Sequence, residues 1–131
     1  MRKRRNEATR ALSAYEQNVL LPILMKGLQM KKGKKNAVTN NQMVEAVRKH
    51  GVKINYRSVI MVINHIRTND LIVGLMASSL GYYITDNEHE LINYEESLQK
   101  REMALRKVRM SMQRQRQFMF QHYTQKQMQM F

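Results

Sequence analysis

The sequence contains no cysteine among its 131 residues. This absence excludes disulfide scaffolds and cysteine-based zinc sites, and it fits a reducing compartment. No apolar run approaches the roughly 20 residues that a membrane-spanning helix needs. The charged segment 1–7 is not followed by the apolar stretch of a signal peptide, so we expect an intracellular protein.

Motifs of catalysis and metal binding are missing as well. We find no glycine-rich phosphate loop, no nucleophile elbow and no convincing pair of carboxylates. The histidines show no metal-ligand spacing; they are His50, His65, His89 and His122. The sequence therefore predicts a protein that is not an enzyme and that holds no metal and no cofactor.

Acidic residues are scarce, since ten Asp and Glu stand against 23 Lys and Arg and leave a net charge of +13. Such a balance favours acidic partners, nucleic acid before an anionic membrane. Residues 86–96 carry five acidic and no basic groups, whereas residues 97–131 carry eight basic groups and one acidic group. A broad, Gln-rich polar face in this last segment argues against membrane binding.

The chain is predicted to consist of a basic disordered arm over residues 1–10, a folded domain over 11–85 and a long helix over 86–131. Capping boxes mark three helix starts, at Ser13–Glu16, Thr39–Gln42 and Thr85–Glu88. A Gln- and Met-rich composition predicts fraying at the end of the last helix.

Apolar residues at helical spacing predict three helices within the folded domain. Pro22 should kink or split the first helix. Gly51 ends the second, and Asn55 caps the third. The apolar stripes are Val19, Leu20, Ile23, Leu24 and Leu28 in the first helix, Met43, Val44 and Val47 in the second, and Val59, Val62, Ile63 and Ile66 in the third.

Two strands are predicted after the third helix, at Leu71–Met76 and Gly81–Ile84, with a turn at Ala77–Leu80. Two helices joined by a short turn and followed by a hairpin, the wing, are the order of a winged helix-turn-helix. The predicted fold class is therefore mainly α with a small β-hairpin: a winged helix-turn-helix followed by a long C-terminal helix.

Four segments resemble the winged-helix DNA-binding proteins of bacteriophages and mobile elements. They are residues 39–47 (TNNQMVEAV), 62–67 (VINHIR), 71–73 (LIV) and 78–84 (SSLGYYI). The resemblance covers roughly residues 12–100. It implies DNA binding in replication or transcription regulation. We expect the protein to act in the cytoplasm of a bacterial host, with a nuclear location as the alternative. One departure is that the wing turn, residues 77–80, has no Lys or Arg to reach a phosphate.

The third predicted helix, residues 55–68, is expected to lie in the major groove of double-stranded DNA. Arg57 suits guanine and Asn64 suits adenine, while Ile60 and Met61 can meet thymine methyls. The Lys and Arg side chains of the loop 31–35 and of the arm over residues 1–10 are expected to bind DNA phosphates. The predicted DNA-binding residues are Asn55, Tyr56, Arg57, Ile60, Met61, Asn64, Arg67, Lys31, Lys32, Lys34, Lys35, Arg2, Lys3, Arg4 and Arg5.

A heptad pattern in the last helix predicts a homodimer through an imperfect coiled coil. One seam position holds Leu91, Leu98, Leu105, Met112 and Met119, and the other holds Tyr94, Arg101, Val108, Gln115 and His122. The predicted dimerisation residues are Leu91, Tyr94, Leu98, Leu105, Val108 and Met112. In the alternative, Leu91, Tyr94 and Leu98 pack back on the folded domain and the rest is solvated.

Two classes of function stay open at this point. The first is sequence-selective DNA binding, with non-specific genome packing as an intermediate case. The second is an adaptor or structural protein that binds another protein, since a fold does not fix a function. The apolar side chains of Ile60 and Met61 and the uncharged wing favour this second class. In that case both side chains are buried against the hairpin or a partner.

Overall fold

The computed structural model describes residues 10–128, with side chains for residues 10–121. Its described residues divide into two compact units, one that ends at residue 91 and one that begins at residue 92. Within the described part the chain is mainly helical with a small antiparallel hairpin and a long C-terminal helix, which confirms that part of the predicted fold class. Residues 1–9 of the predicted arm, with Arg2, Lys3, Arg4 and Arg5, lie outside the described residues, as do residues 129–131 of the predicted frayed end.

The elements follow one another in a simple order along the chain. They are a π-helical segment (Glu16–Leu20), α1 (Leu21–Leu28), a 3-10 turn (Lys34–Asn36), α2 (Asn40–Lys49), α3 (Tyr56–Thr68), β1 (Leu75–Ser78), β2 (Gly81–Ile84) and α4 (Glu88–Met128).

Helix α1 continues the π-helical segment without a break. Pro22 stands in the first turn of α1, where a missing N–H is tolerated. The helical geometry changes from π to α just before Pro22, but the two segments are continuous, so the prediction that this proline splits the helix is wrong. A π turn takes up one extra residue and so rotates the residues that follow. Leu21 is buried, and Ile23, which was predicted to lie on the apolar stripe, is exposed. Leu21 precedes Leu24 by three residues and shares its face, whereas Ile23 directly precedes Leu24 and is turned away from it.

Glu16 fixes the start of this helical region. Its backbone N–H donates to Ser13 Oγ at 3.1 Å, and its Oε1 accepts from the N–H of Ser13 at 2.9 Å, so the predicted capping box is formed. Arg10 pairs with the same carboxylate at 3.1 Å. Burial raises the pKa of Glu16, but the hydrogen bonds from Ser13 and Arg10 outweigh burial and leave that pKa below its ordinary value.

The predicted capping box before α2 is also present. Thr39 Oγ1 accepts from the N–H of Gln42 at 3.1 Å, and the N–H of Thr39 donates to Gln42 Oε1 at 2.9 Å. Helix α2 ends at a left-handed glycine, since Gly51 has a φ of +77°. Asn55 then caps α3, with its Oδ1 accepting from the N–H of Ser58 at 2.8 Å.

The core is formed where α1, α2 and α3 meet. On α3, Val59, Val62 and Ile66 are completely buried and Ile63 is 1% exposed, which confirms the predicted apolar stripe. The same cluster includes Leu20, Leu24, Leu28, Val44, Val47, Ile72 and Leu75. Because one face of α3 is held this firmly, its opposite face has a fixed orientation.

Strands β1 and β2 form an antiparallel hairpin whose turn is Ser79 and Leu80. The predicted start of the first strand at Leu71 is wrong, because the chain turns at Asp70 and Gly74, where φ is +56° and +78°. A Cβ on Gly74 would also lie 2.5 Å from the carbonyl oxygen of Thr85.

The segment between α1 and α2 pairs with the outer edge of β2, an arrangement that the sequence did not predict. Ile84 donates to the carbonyl of Lys31 at 2.7 Å and accepts from the N–H of Gly33 at 2.9 Å. Tyr82 and Val38 exchange backbone hydrogen bonds of 2.8 and 2.9 Å. The loop that carries the lysines is therefore fixed to the hairpin as a short third edge.

Candidate nucleic-acid interface

The outward face of α3 carries five of the predicted DNA-binding residues. Tyr56, Arg57 and Ile60 are exposed, and Asn64 and Arg67 are half-buried. Their spacing along α3 places them on the side opposite the buried stripe. The face combines a guanidinium, an amide, a phenol and an aliphatic side chain, which together can bond base edges and contact thymine methyls.

Met61 does not belong to this face. It is 2% exposed, so its predicted contact with DNA is wrong. Met61 lies between Ser58 and His65 on one flank of α3, and both of these neighbours are half-buried. A second side of α3 is therefore covered, and the outward face is narrower than the sequence pattern suggested. Burial of Met61 agrees with the alternative considered above, whereas Ile60 remains 38% exposed.

Asn55 has a structural role at the start of the same helix. Its carbonyl oxygen is used by the cap, as described above. An asparagine side chain also has two amide donors. If Asn55 contacts DNA, it does so through these donors, which suit a phosphate better than the paired donor and acceptor of adenine.

Two side chains hold the turn between α2 and α3. Arg48 Nε donates to the carbonyl of Ile54 at 3.1 Å, and Tyr15 Oη donates to the carbonyl of Lys53 at 2.6 Å. Both acceptors are backbone atoms, and for this reason no sequence pattern marked Arg48 or Tyr15. Together they fix the point from which α3 begins.

The four predicted loop lysines fall into two groups. Lys32, Lys34 and Lys35 are exposed, and Lys31 is half-buried. Asn36 Nδ2 donates to the carbonyl of Lys32 at 2.7 Å, which tightens the 3-10 turn that follows. A row of cations on a fixed backbone can bind phosphates with little ordering cost.

Two hydroxyl groups hold the carboxylate of Glu90 near the start of α4. Tyr83 Oη donates to Glu90 Oε1 at 2.7 Å, and Thr85 Oγ1 donates to Glu90 Oε2 at 3.0 Å. These two hydrogen bonds, and to a lesser degree the charge of Lys34, lower the pKa of Glu90. The hydrogen bond to Glu90, together with burial, raises the pKa of Tyr83 to about 12.

We expect Tyr83→Phe to reduce the acid sensitivity of the fold. Because the pKa of Glu90 is lowered in the folded state, this group stabilises the protein above its unfolded pKa, and the contribution is lost as pH falls through the folded value. Removing the phenol donor brings the pKa of Glu90 back towards normal. The difference between melting temperatures at pH 7 and pH 3 should shrink. Tyr82→Phe, which leaves the bond to Glu90 intact, is the control and should keep the parent difference.

The hairpin turn offers no cation. Ser78 Oγ donates to the carbonyl of Gly81 at 3.0 Å and accepts from the N–H of Leu80 at 3.2 Å. The side chain of Leu80 is exposed. A contact of this turn with DNA would therefore rest on the backbone and on serine hydroxyls.

An open apolar groove of about 700 Å³ lies between α1 and α2. Its lining residues are Ile23, Leu24, Lys26, Gly27, Leu28, Met30, Lys31, Val38, Gln42, Met43, Ala46, Val47, His50 and Val52. None of them is acidic, and Met30 and Ile23 are exposed in it. The groove can accept apolar side chains from an acidic segment of another protein.

The predicted dimer seam is described from Leu91 to Met119. Leu91 and Tyr94 are half-buried. The later seam residues Leu98, Leu105, Val108, Met112 and Met119 are all exposed.

No group of three or more His, Asp or Glu residues that could hold a metal ion occurs between residues 10 and 121. No helix of the described residues is long and apolar enough to cross a membrane. No model of a protein family matches the sequence, and neither a curated protein nor a solved structure shows significant similarity to it.

Proposed function

We propose that this chain is a winged-helix protein that binds double-stranded DNA with sequence preference. The observation that supports this best is the outward face of α3, where Arg57, Ile60 and Asn64 stand on a helix whose other side is buried in the core. A helix held in this way fits the major groove of B-form DNA. It would act inside the cell, in the cytoplasm of a bacterial host, in phage or mobile-element replication or transcription control, as the sequence resemblance implies.

The mechanism divides the contacts into two kinds. Arg57 would bond guanine O6 and N7, Asn64 would bond adenine N6 and N7, and Ile60 would meet a thymine methyl. The loop lysines would neutralise phosphates and release counterions, which supplies affinity without sequence information.

Fluorescence anisotropy of a labelled duplex is the direct test of DNA binding. We expect log K to fall linearly with the logarithm of the salt concentration between 50 and about 200 mM, because DNA binding releases counterions. A single-stranded oligonucleotide of the same length should compete poorly. Absence of binding at 50 mM salt and tens of micromolar protein, roughly the non-specific range, would contradict the proposal.

We expect Arg57→Ala to lose discrimination at one or two base pairs, by about 1–3 kcal/mol. Arg57 is exposed in the first turn of α3, where helix-turn-helix proteins reach base edges. Arg57→Lys is the matched variant, because it keeps the charge and loses the bidentate geometry. Both variants should lose discrimination, and Arg57→Lys should retain more overall affinity. An equal loss of affinity on every sequence would instead make Arg57 a phosphate contact.

Binding of another protein is a second candidate function, and the groove between α1 and α2 favours it. The groove is apolar, it has Lys26, Lys31 and His50 on its lining, and none of its lining residues is acidic. These features fit an acidic segment with apolar anchors. Ala46→Gln would fill part of the groove with a larger side chain and would leave the net charge unchanged. This variant should leave DNA binding unchanged and should abolish binding of an acidic amphipathic peptide. If the variant instead loses DNA binding and keeps peptide binding, the groove is not a protein-binding site.

A further inference from the structure

The compact unit formed by residues 92–131 exposes an apolar stripe. In the part whose side chains are described, Leu98, Leu105, Val108, Met112 and Met119 are between 39% and 71% exposed. They follow the heptad positions of one seam along α4. Apolar side chains in such a row mark a surface that packs against something.

Charges flank this stripe in an ordered way. On one side, heptad spacing places Glu95, Glu102, Arg109 and Arg116, so two acidic positions are followed by two basic positions. On the other side stand Ser97, Ala104, Ser111 and Phe118, none of which is charged. The four charged side chains are exposed.

We propose that α4 pairs with α4 of a second copy of this chain in the antiparallel orientation. In a parallel pair, each flanking charge meets an uncharged flank of the partner, and Arg101 opposes the partner's Arg101 in the seam. In an antiparallel pair, the charged flanks face each other. The acidic half of one helix then meets the basic half of the other, and the arrangement is self-complementary about a two-fold axis.

The charges also select one register. When Leu105 packs beside the partner's Val108, Glu95 faces the partner's Arg116 and Glu102 faces the partner's Arg109. A slip of one heptad in one direction brings Glu102 opposite the partner's Glu102, and a slip in the other direction brings Arg109 opposite the partner's Arg109. In the selected register all four facing pairs are attractive.

The same register gives the seam its layers. Tyr94 packs with the partner's Met119, Leu98 with the partner's Gln115, and Arg101 with the partner's Met112. The Arg101 side chain can lay its aliphatic part on Met112 and extend its guanidinium into water. Because Arg101 and Gln115 weaken the seam, we expect a modest dimer that dissociates on dilution.

The orientation has a geometric consequence. At a rise of about 1.5 Å per residue, this register places the two copies of Ile92, where each chain enters the pair, about 45 Å apart along the helices. A parallel pair would place them side by side. In the antiparallel pair the two chains thus enter α4 from opposite ends. This inference does not depend on DNA binding, and its tests contain no DNA.

Charge reversal tests the facing pairs. By sedimentation of the full-length protein, the double variant Glu95→Arg with Glu102→Arg should raise the dimer dissociation constant about tenfold or more, because four attractive pairs per dimer become repulsive. Adding Arg109→Glu and Arg116→Glu should restore parent dissociation and returns the net charge to that of the parent. Circular dichroism checks that every variant remains helical.

Spin labels test the orientation directly. The native chain has no cysteine, so Met103→Cys and Gln117→Cys each carry a single label, and both positions face away from the seam. In the antiparallel register the labels lie about 10 Å apart along the pair at position 103 and about 32 Å apart at position 117. A parallel pair gives equal distances at both positions.

Each of three results would overturn the proposal. They are a parent protein that stays monomeric at tens of micromolar, a double variant that dimerises as the parent does, and label distances that are the same at both positions. A fourfold variant that remains as weak as the double variant would also overturn the charge pairing.

Discussion

Ile63→Ala should lower the free energy of unfolding by about 2–5 kcal/mol, the usual range for truncating a large aliphatic side chain in a packed core. Ile63 is 1% exposed and belongs to the cluster that joins α1, α2 and α3. Removing three carbon atoms leaves a cavity that the neighbouring helices can fill only in part. Urea denaturation followed by circular dichroism measures the difference.

The same helix provides a matched control. Ile60→Ala removes the same atoms from a side chain that is 38% exposed, on the outward face of α3. Its effect on unfolding should be much smaller, within about 0.5–1 kcal/mol. The variant should instead lose preference for a thymine at one position of the DNA site. If the two variants are equally unstable, the assignment of the two faces of α3 is wrong.

Replacing Lys31, Lys32, Lys34 and Lys35 with Gln should weaken binding to all duplexes alike. The slope of log K against log salt should flatten by about 0.9 for each lost phosphate contact, so by about 3.6 at most. Anisotropy titrations at several salt concentrations measure the slope.

A second variant with the same change of net charge shows whether the effect on the slope depends on the position of the loop lysines or only on the net charge. Replacing Lys100, Arg106, Lys107 and Arg114 of α4 with Gln also removes four cations and leaves the loop unchanged. These positions lie outside the seam and its flanking charges. If both variants flatten the slope equally, the loop has no special role; if neither does, the loop does not contact DNA.

The sequence predicted two of the three capping boxes because their signals are local. The third, at Thr85–Glu88, was wrong: Asn87 caps α4 instead, with its Oδ1 accepting from the N–H of Glu90. The cap at Asn55, the box at Thr39–Gln42 and the left-handed Gly51 each depend on a few neighbouring residues. The buried stripe of α3 followed from helical spacing alone. The outward face followed as its complement, so five of its six predicted residues were placed without tertiary information, three of them exposed and two half-buried.

What the sequence did not predict depends on distant parts of the chain. Met61 is buried because a second flank of α3 is covered, and helical spacing carries no information about that cover. The pairing of Lys31 and Val38 with β2 joins segments about 50 residues apart. The start of β1 was misplaced because Leu71–Val73 has the composition of a strand, whereas the chain turns at Asp70 and Gly74.

Sequence preference is the central claim, and selection of bound duplexes from a random pool tests it most directly. The full-length protein would be equilibrated with random duplexes near physiological salt, and the bound fraction amplified over several rounds and sequenced. We expect an enriched motif that contains a guanine and an adenine within one major-groove segment, and loss of the guanine preference with Arg57→Ala. A bound pool as random as the starting pool, from protein that does bind DNA, would contradict reading of bases by α3.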